Sequence, residues 1–259
     1  MIIIKNKFSI AKMEKAGQLL SEVLKDVSSL IKPGVSTFEV NAWIEQELRS
    51  KGLVPRAKGY RGYRYASCIS VNDAVIHGVP SSDIILKNGD LVKIDVIASW
   101  KGYCADMARM FFVGSAASQE IENFVQVAQQ ALDKGIEKAR AGNRLSDISA
   151  AIQREVEQNG FQVVRDFAGH GIGKSVHEEP EIPNYGKPGE GPILQPGMVL
   201  AIEPMITMGS FEVEVIDDGW TVKTKDKSLA AHVEDTVVIT EGEPRILTRC
   251  NHQAGGIKL

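Results

Sequence analysis

Apolar residues at spacings of three and four mark four helices along this chain. Over residues 9–30, Ile10, Met13, Ala16, Gly17, Leu20, Val23, Leu24 and Val27 share one face, and Ser9 can cap the start. Lys32-Pro33-Gly34 breaks that run. A second helix is expected over 36–50, with Phe38, Val40, Trp43, Ile44 and Leu48 apolar and Gly52 beyond its end. The same pair recurs at 118–141 and 146–159, closed by Gly142 and Gly160. Aligning Gly34 with Gly142 superposes Glu39 on Asp147, Val40 on Ile148, Ala42 on Ala150, Ile44 on Ile152, Glu47 on Glu155 and Gly52 on Gly160. One offset of 108 residues accounts for all of these matches, and the paired glycines favour an internal duplication.

Between and after the helices the period changes to that of strands. Short strands are expected at 66–71 and 75–76 around the turn Asn72-Asp73, and further strands at 161–167, 197–206 and 232–240. Residues 212–216 and 220–225 form a hairpin around Asp217-Asp218-Gly219, and 180–196, rich in Pro and Gly, reads as a surface loop. The result is an α+β chain of two α-α-β halves, at about 9–113 and 118–240, around one sheet, with a site where the halves meet.

The segment 91–113 stands out, because it reads as two apolar strands each interrupted by one aspartate, Asp95 and Asp106. If Trp100 and Lys101 form the two-residue turn, Ser99 pairs with Gly102 and Asp95 lies opposite Asp106. Side chains directly opposite on one face have Cβ atoms only about 5 Å apart. Two carboxylates that close repel unless a proton or cation lies between them. A lone aspartate in a strand reads most simply as a frayed end, but two in register among Ile, Val, Met and Phe favour a metal.

Composition narrows the classes. The chain has 259 residues, 43% apolar and 24% charged, as in an ordinary globular protein, and a net charge of −3 gives no basic footprint for nucleic acid. No apolar run is long enough to span a bilayer, and the opening MIIIKNKF is too short for a signal peptide. Cys68, Cys104 and Cys250 form no CxxC pair, which fits a reducing cytosol. No linker separates independent domains, so 1–259 is read as a single domain.

Further buried chemistry follows the same logic. Glu203 sits behind Val199-Leu200-Ala201-Ile202, and Glu234 precedes Thr236-Val237-Val238-Ile239; a carboxylate in such a strand is costly unless paired or metal-bound. His170 is bracketed by glycines, so backbone can approach it closely. Taken singly, Glu203 could be salt-bridged, Glu234 solvated and His170 merely hydrogen-bonded. Taken together, Asp95, Asp106, His170, Glu203 and Glu234 suit two divalent ions bridged by carboxylates, and are too carboxylate-rich for a structural zinc site.

These segments resemble a known family. VNDAVIHGVP around His77, GDLVKIDV around Asp95, GHGIGKSVHEEP with His170 and His177, GMVLAIEPMI around Glu203 and DDGWTVKTKDKSLAAHVEDT around Glu234 are similar to the type I methionine aminopeptidases, metallopeptidases of the pita-bread fold. The resemblance covers nearly the whole chain and implies a mostly antiparallel curved sheet with pseudo-symmetric halves. It implies two divalent ions (Co, Mn, Fe, Zn or Ni), with Asp95 on one, His170 and Glu203 on the other, and Asp106 and Glu234 bridging. It implies that Glu203 carries a proton, that His177 polarises the scissile carbonyl, and that His77 contacts substrate. Tyr60, Tyr63, Cys68 and Trp220 match the family's methionine pocket, where aromatics and sulfur suit a thioether; their ordinary alternative is core packing. The implied substrate is the N-terminus of a nascent polypeptide with a small second residue, met in the cytoplasm by a monomer, with the ribosome as an implied partner.

The chain departs from the family pattern around the ligands. Cys104-Ala105 replaces His-Gly before Asp106, Met107-Ala108 replaces small hydroxyl residues after it, His232 and Asp235 flank Glu234 where Gln and His are usual, and Val176 replaces Phe before His177. His232 and Asp235 are expected to compensate near the bridging carboxylates. Two other readings compete: a catalytically impaired protein of this fold serving as a binding module, and an Xaa-Pro peptidase, whose usual extra N-terminal domain has no counterpart here.

Overall fold

The computed structural model describes residues 1–249. Helix α1 (Lys7–Asp26) starts ahead of the expected boundary, because Asn6 rather than Ser9 is its cap, accepting from the Ser9 N–H at 2.9 Å. A short 3-10 turn, Val27–Leu30, finishes the run. Helix α2 (Thr37–Ser50) opens on a capping box, in which Ser36 Oγ accepts from Glu39 N–H and the Ser36 N–H donates to the Glu39 carboxylate at 2.8 Å. Strands β1 (Val54–Pro55), β2 (Cys68–Val71), β3 (Ala74–Ile76), β4 (Leu91–Trp100) and β5 (Tyr103–Phe112) follow. Helices α3 (Gln119–Lys138) and α4 (Leu145–Gln158) repeat the helical pair.

The remainder is strand: β6 (Gln162–Val163), β7 (Ala168–Gly171), β8 (Glu178–Pro183), β9 (Val199–Ile202), β10 (Met205–Thr207), β11 (Val213–Val215), β12 (Val222–Thr224), β13 (Ala230–His232), β14 (Glu234–Val238) and β15 (Arg245–Ile246). The main sheet runs β1-β4-β5-β14-β9-β7-β8, with β2 also on β4 and β15 on β14, and every pairing is antiparallel. Two small sheets, β13-β10-β6 and β11-β12-β3, complete the α+β architecture.

All four helices bury one face of the main sheet. From α1 and α2, Leu20, Val23, Ile44 and Leu48 pack with Val92, Ile94, Val96 and Met107. From α3 and α4, Phe124, Leu132, Ile148 and Ile152 pack with Leu200, Ile202, Val233 and Val237. Side chains alternate along a strand, so filling the helix side with these residues sends Asp95, Asp106 and Glu234 to the other face. The two helical pairs are held alike. Gly34 N–H donates to Leu86 O at 2.9 Å and Gly142 N–H to Leu194 O at 3.0 Å; Ser36 bridges Ile85 and Arg144 bridges Ile193; Arg144 N–H donates to Asp147 as Ser36 does to Glu39. Each contact recurs 108 residues on, and Gly34 and Gly142 both sit at φ near +90°.

Several sequence expectations shift. The β4–β5 turn is Lys101-Gly102, both at positive φ, so Trp100 pairs with Tyr103, and Asp95 faces Ala108 while Asp106 faces Ile97. Glycine at the second turn position makes this the less strained choice. Asp95 and Asp106 are thus diagonal neighbours on one face, still within side-chain reach. Residues 178–183 of the expected loop are strand β8, whose prolines are tolerated because it lies at the sheet edge. The long strand at 197–206 breaks at Glu203-Pro204 into β9 and β10, and that at 232–240 breaks at Val233 as the chain passes from one sheet to another. At 161–167 only Gln162–Val163 is strand. Among the described residues no helix is long and apolar enough to cross a membrane.

Candidate metal centre

The five candidate ligands meet on the sheet face away from the helices. Asp95 comes from the middle of β4, Asp106 from β5, Glu234 from the start of β14, His170 from β7, and Glu203 from the break after β9. They line one cavity of about 820 Å³, and His77, His177, Tyr60, Tyr63, Cys68 and Trp220 line the same cavity. Donor atoms of Asp106, His170 and Glu234 all lie within 4.8 Å of one another, and all three residues are buried. His170 Nε2 is 3.5 Å from Glu203 Oε1 and 3.8 Å from Asp106 Oδ2.

Glycine is what lets His170 reach this place. A Cβ at Gly169 would sit 2.5 Å from Ala201 O, and one at Gly171 would sit 2.1 Å from Glu179 O. Only bare backbone fits between the flanking strands. His170 Nδ1 lies 2.9 Å from Gly171 O. Donation of the Nδ1 proton to that carbonyl leaves the Nε2 lone pair facing the carboxylates.

The electrostatics are those of acids that lack a counter-charge. Burial raises Asp106 and Glu234 well above the usual carboxylate range, and the neighbouring carboxylates push both further. Burial lifts Glu203 to about 8 and Asp95 to about 6, with His232 opposing the rise at Asp95. The Asp95 and Asp106 carboxyls act on each other in opposite senses, lowering Asp95 and raising Asp106. Burial also lowers His170 to about 3 and His77 to about 4, so these imidazoles are neutral. Close approach of His170 to Glu203 is therefore not an ion pair. Asp106 Oδ1 and Glu234 Oε1 are buried with no hydrogen-bond partner. Unsatisfied acceptors of this kind cost about 1–3 kcal/mol each. A divalent cation with oxygen and imidazole ligands supplies what these atoms lack, so the residues fit a metal.

The remaining residues form walls. Tyr63 packs edge-on to Trp220 at 5.0 Å between ring centroids, and its hydroxyl donates to Ser67 O at 3.0 Å. Cys68 pairs with Asp95 across β2 and β4. Tyr60 lies 5.2 Å from the His177 ring, which is 4.2 Å from that of His170. His77 holds a left-handed backbone (φ 56°), uncommon outside glycine, and stacks edge-on against Phe167. Val176 lines the cavity near Ile97.

The structure also accounts for two of the departures around the ligands, Met107 and Asp235. Met107 points into the α1/α2 core, and the hydroxyl at this junction comes from Thr236, whose Oγ1 accepts from Asp106 N–H at 2.9 Å and donates to Asp106 O at 2.8 Å. Asp235 turns away from the cavity. It accepts from Arg109 at 2.6 Å, Thr248 at 2.7 Å and Arg249 at 2.7 Å. Burial alone would raise Asp235, but the two guanidiniums hold it below the usual range. Arg109 also donates to Glu234 O at 2.6 Å, tying this network to a candidate ligand's backbone. Thr236 and Arg109 were not singled out in the sequence; an arginine inside MARMFF and a threonine two places after Glu234 were the available signals. Cys68 and Cys104 are free thiols, and Cys250 lies outside the described residues.

The model of metallopeptidase family M24 matches residues 11–241. The chain is 50% identical over 248 residues to a methionine aminopeptidase of Clostridium perfringens, covering 96% of this chain and 99% of that protein. The chain belongs to metallopeptidase family M24. The crystal structure of a methionine aminopeptidase from Thermotoga maritima superposes with a TM-score of 0.94 at 43% identity, covering 96% of this chain and all of that one. A prolidase from Pyrococcus furiosus has a TM-score of 0.79 at 26% identity, and the match spans 66% of its length. The shared architecture is the pita-bread fold.

One consequence concerns stability without metal. Glu203 has an ordinary value of 4.5 and a folded value of about 8. Between those values the folded state binds more protons than the unfolded one, so stability falls as pH rises. Asp95, Asp106 and Glu234 shift in the same direction. The buried histidines, lowered from 6.5, oppose this slope only below about pH 7. The melting temperature of chelator-treated protein should therefore drop by several degrees from about pH 7 to about pH 8.5, and saturating Mn²⁺ should flatten the slope. A melting temperature that rises over that interval without metal contradicts this.

Proposed function

We propose that the protein is a metal-dependent methionyl aminopeptidase that removes the initiator methionine from nascent polypeptides when the second residue is small. The observation that carries this reading is the cluster of Asp106, His170 and Glu234 at the floor of a cavity walled by Tyr60, Tyr63, Cys68 and Trp220. The 50% identity to a methionine aminopeptidase over nearly both whole chains supports it.

Asp95, Asp106, His170, Glu203 and Glu234 would hold two divalent ions. When bound, the ions supply the Lewis acidity that activates water and polarises a carbonyl. The protein's own groups do the rest. Glu203 accepts a proton and returns it to the leaving amine, a role open to a carboxylate that lines the cavity beside His170. His177, at the cavity rim beside Tyr60, donates a hydrogen bond to the scissile carbonyl. His77 contacts the substrate backbone. The acidic floor receives the free α-amine, which restricts cleavage to one residue. Tyr63, fixed by Ser67 and Gly78, and Trp220 give the methionine side chain rigid walls, and Cys68 adds a soft contact. The site lies between halves that we read as duplicated, supported by the contacts that recur 108 residues on. We place the protein in the cytoplasm, as a monomer meeting chains at the ribosome.

Metal-stripped protein should release no methionine from Met-Ala-Ser and should regain release with Mn²⁺, Co²⁺ or Fe²⁺, while an Ala-Pro peptide stays intact. A folded protein inactive with every metal defeats the enzyme reading and leaves a binding module. Val176→Phe should narrow the side-chain pocket and raise the preference for Met over Phe as first residue about tenfold in kcat/KM. An unchanged ratio would place Val176 outside the pocket wall.

A further inference from the structure

His232 closes β13 where the chain leaves one sheet, and Glu234 opens β14 in the next. Its backbone is fixed independently of its side chain, through the pairing of β13 with β10 that sets His232 beside Met205. The imidazole is buried, with 2% side-chain exposure, and neither ring nitrogen has a hydrogen-bond partner. Yet Nε2 lies 3.4 Å from Glu203 Oε2. The other Glu203 oxygen, Oε1, lies 3.5 Å from His170 Nε2. Glu203 therefore stands between two imidazoles, one at each oxygen.

The two rings are held differently. His170 commits Nδ1 to Gly171 O, so its Nε2 presents a lone pair to the acidic cluster. His232 has no carbonyl on Nδ1, and its single N–H has Glu203 as the acceptor within reach. A small rotation of either side chain converts the 3.4 Å contact into a hydrogen bond, which becomes the stronger, charge-assisted kind once Glu203 is ionised. Such a bond fixes the rotation of the carboxyl plane.

We propose that His232 is a positioning residue for Glu203: its Nε2–H donates to Oε2, sets the carboxylate's rotation, and keeps Oε1 turned toward His170 and the other candidate ligands. This rests on the metallopeptidase reading above. It gives His232 a role in the site although it is neither one of the five ligands nor a substrate contact.

The test uses three substitutions. Leucine and alanine remove the donor, one with similar bulk and one without, and glutamine restores an N–H donor of similar reach. Metal-free wild type, His232→Leu, His232→Ala and His232→Gln are titrated with Mn²⁺ and with Co²⁺ by calorimetry. The Co²⁺ absorption spectrum and the metal-free melting temperature are recorded for each. The proposal expects Leu and Ala to weaken one ion by about 10- to 100-fold with an altered Co²⁺ spectrum, and Gln to stay within about threefold of wild type. If one donorless variant fails to fold, the other carries the comparison, and Gln alone still tests rescue. Wild-type affinity and spectrum in Leu or Ala would overturn the proposal, as would Gln binding as weakly as they do. A folded wild type that binds neither metal would defeat the metallopeptidase reading itself, and the proposal with it.

Discussion

Acidic side chains that face one another while buried cannot all be ionised unless positive charge joins them. Asp95, Asp106, Glu203 and Glu234 are in that position, and among the described residues the histidines beside them are neutral imidazoles. Without a cation the cluster relieves itself by holding protons, which is why all four carboxyls sit above their usual range. That relief is incomplete, since Asp106 Oδ1 and Glu234 Oε1 remain without partners. The folded chain thus keeps a local cost that a divalent ion removes, and the binding function follows from the same constraint.

Keeping such a cluster in place requires stiffness elsewhere. The helices supply most of it by filling the opposite sheet face, so alternation leaves the acids no other direction. Local bonds supply the remainder. Thr236 pins both backbone groups of Asp106, Arg109 holds the Glu234 carbonyl, and Asp235 with Arg249 anchors that arginine to Asp133 on α3. The Thr236 hydroxyl and an ionic network on the helix side together carry the positioning, and the network does so without lining the cavity.

Much of this was legible in the sequence because each signal had a strong physical cause. Carboxylates inside Val/Ile/Leu-rich strands are expensive, so Asp95, Asp106, Glu203 and Glu234 announced themselves, and glycines on both sides of His170 signalled close backbone approach. Four helices came from periodicity, and their 108-residue spacing from residues matched between two glycines at either end. What was not legible depends on geometry that one residue decides. The hairpin register turned on whether Gly102 lies inside the turn or after it. The direction of Asp235 turned on which face of β14 it occupies, and edge position made a strand of the proline-bearing segment at 178–183. The contact of His232 with Glu203 joins residues brought together only by the breaks at Pro204 and Val233.

The central claim is that a cation takes the place of protons shared among buried carboxylates. Calorimetric titration of metal-free protein with Co²⁺ at about pH 7, repeated in buffers of different ionisation enthalpy, counts those protons directly. The account predicts a net release of at least about one proton per chain, since Glu203, Asp106 and Glu234 hold protons near neutrality before metal arrives. Tight binding with no net proton release would contradict it, and would mean that the acids are already ionised in the empty site.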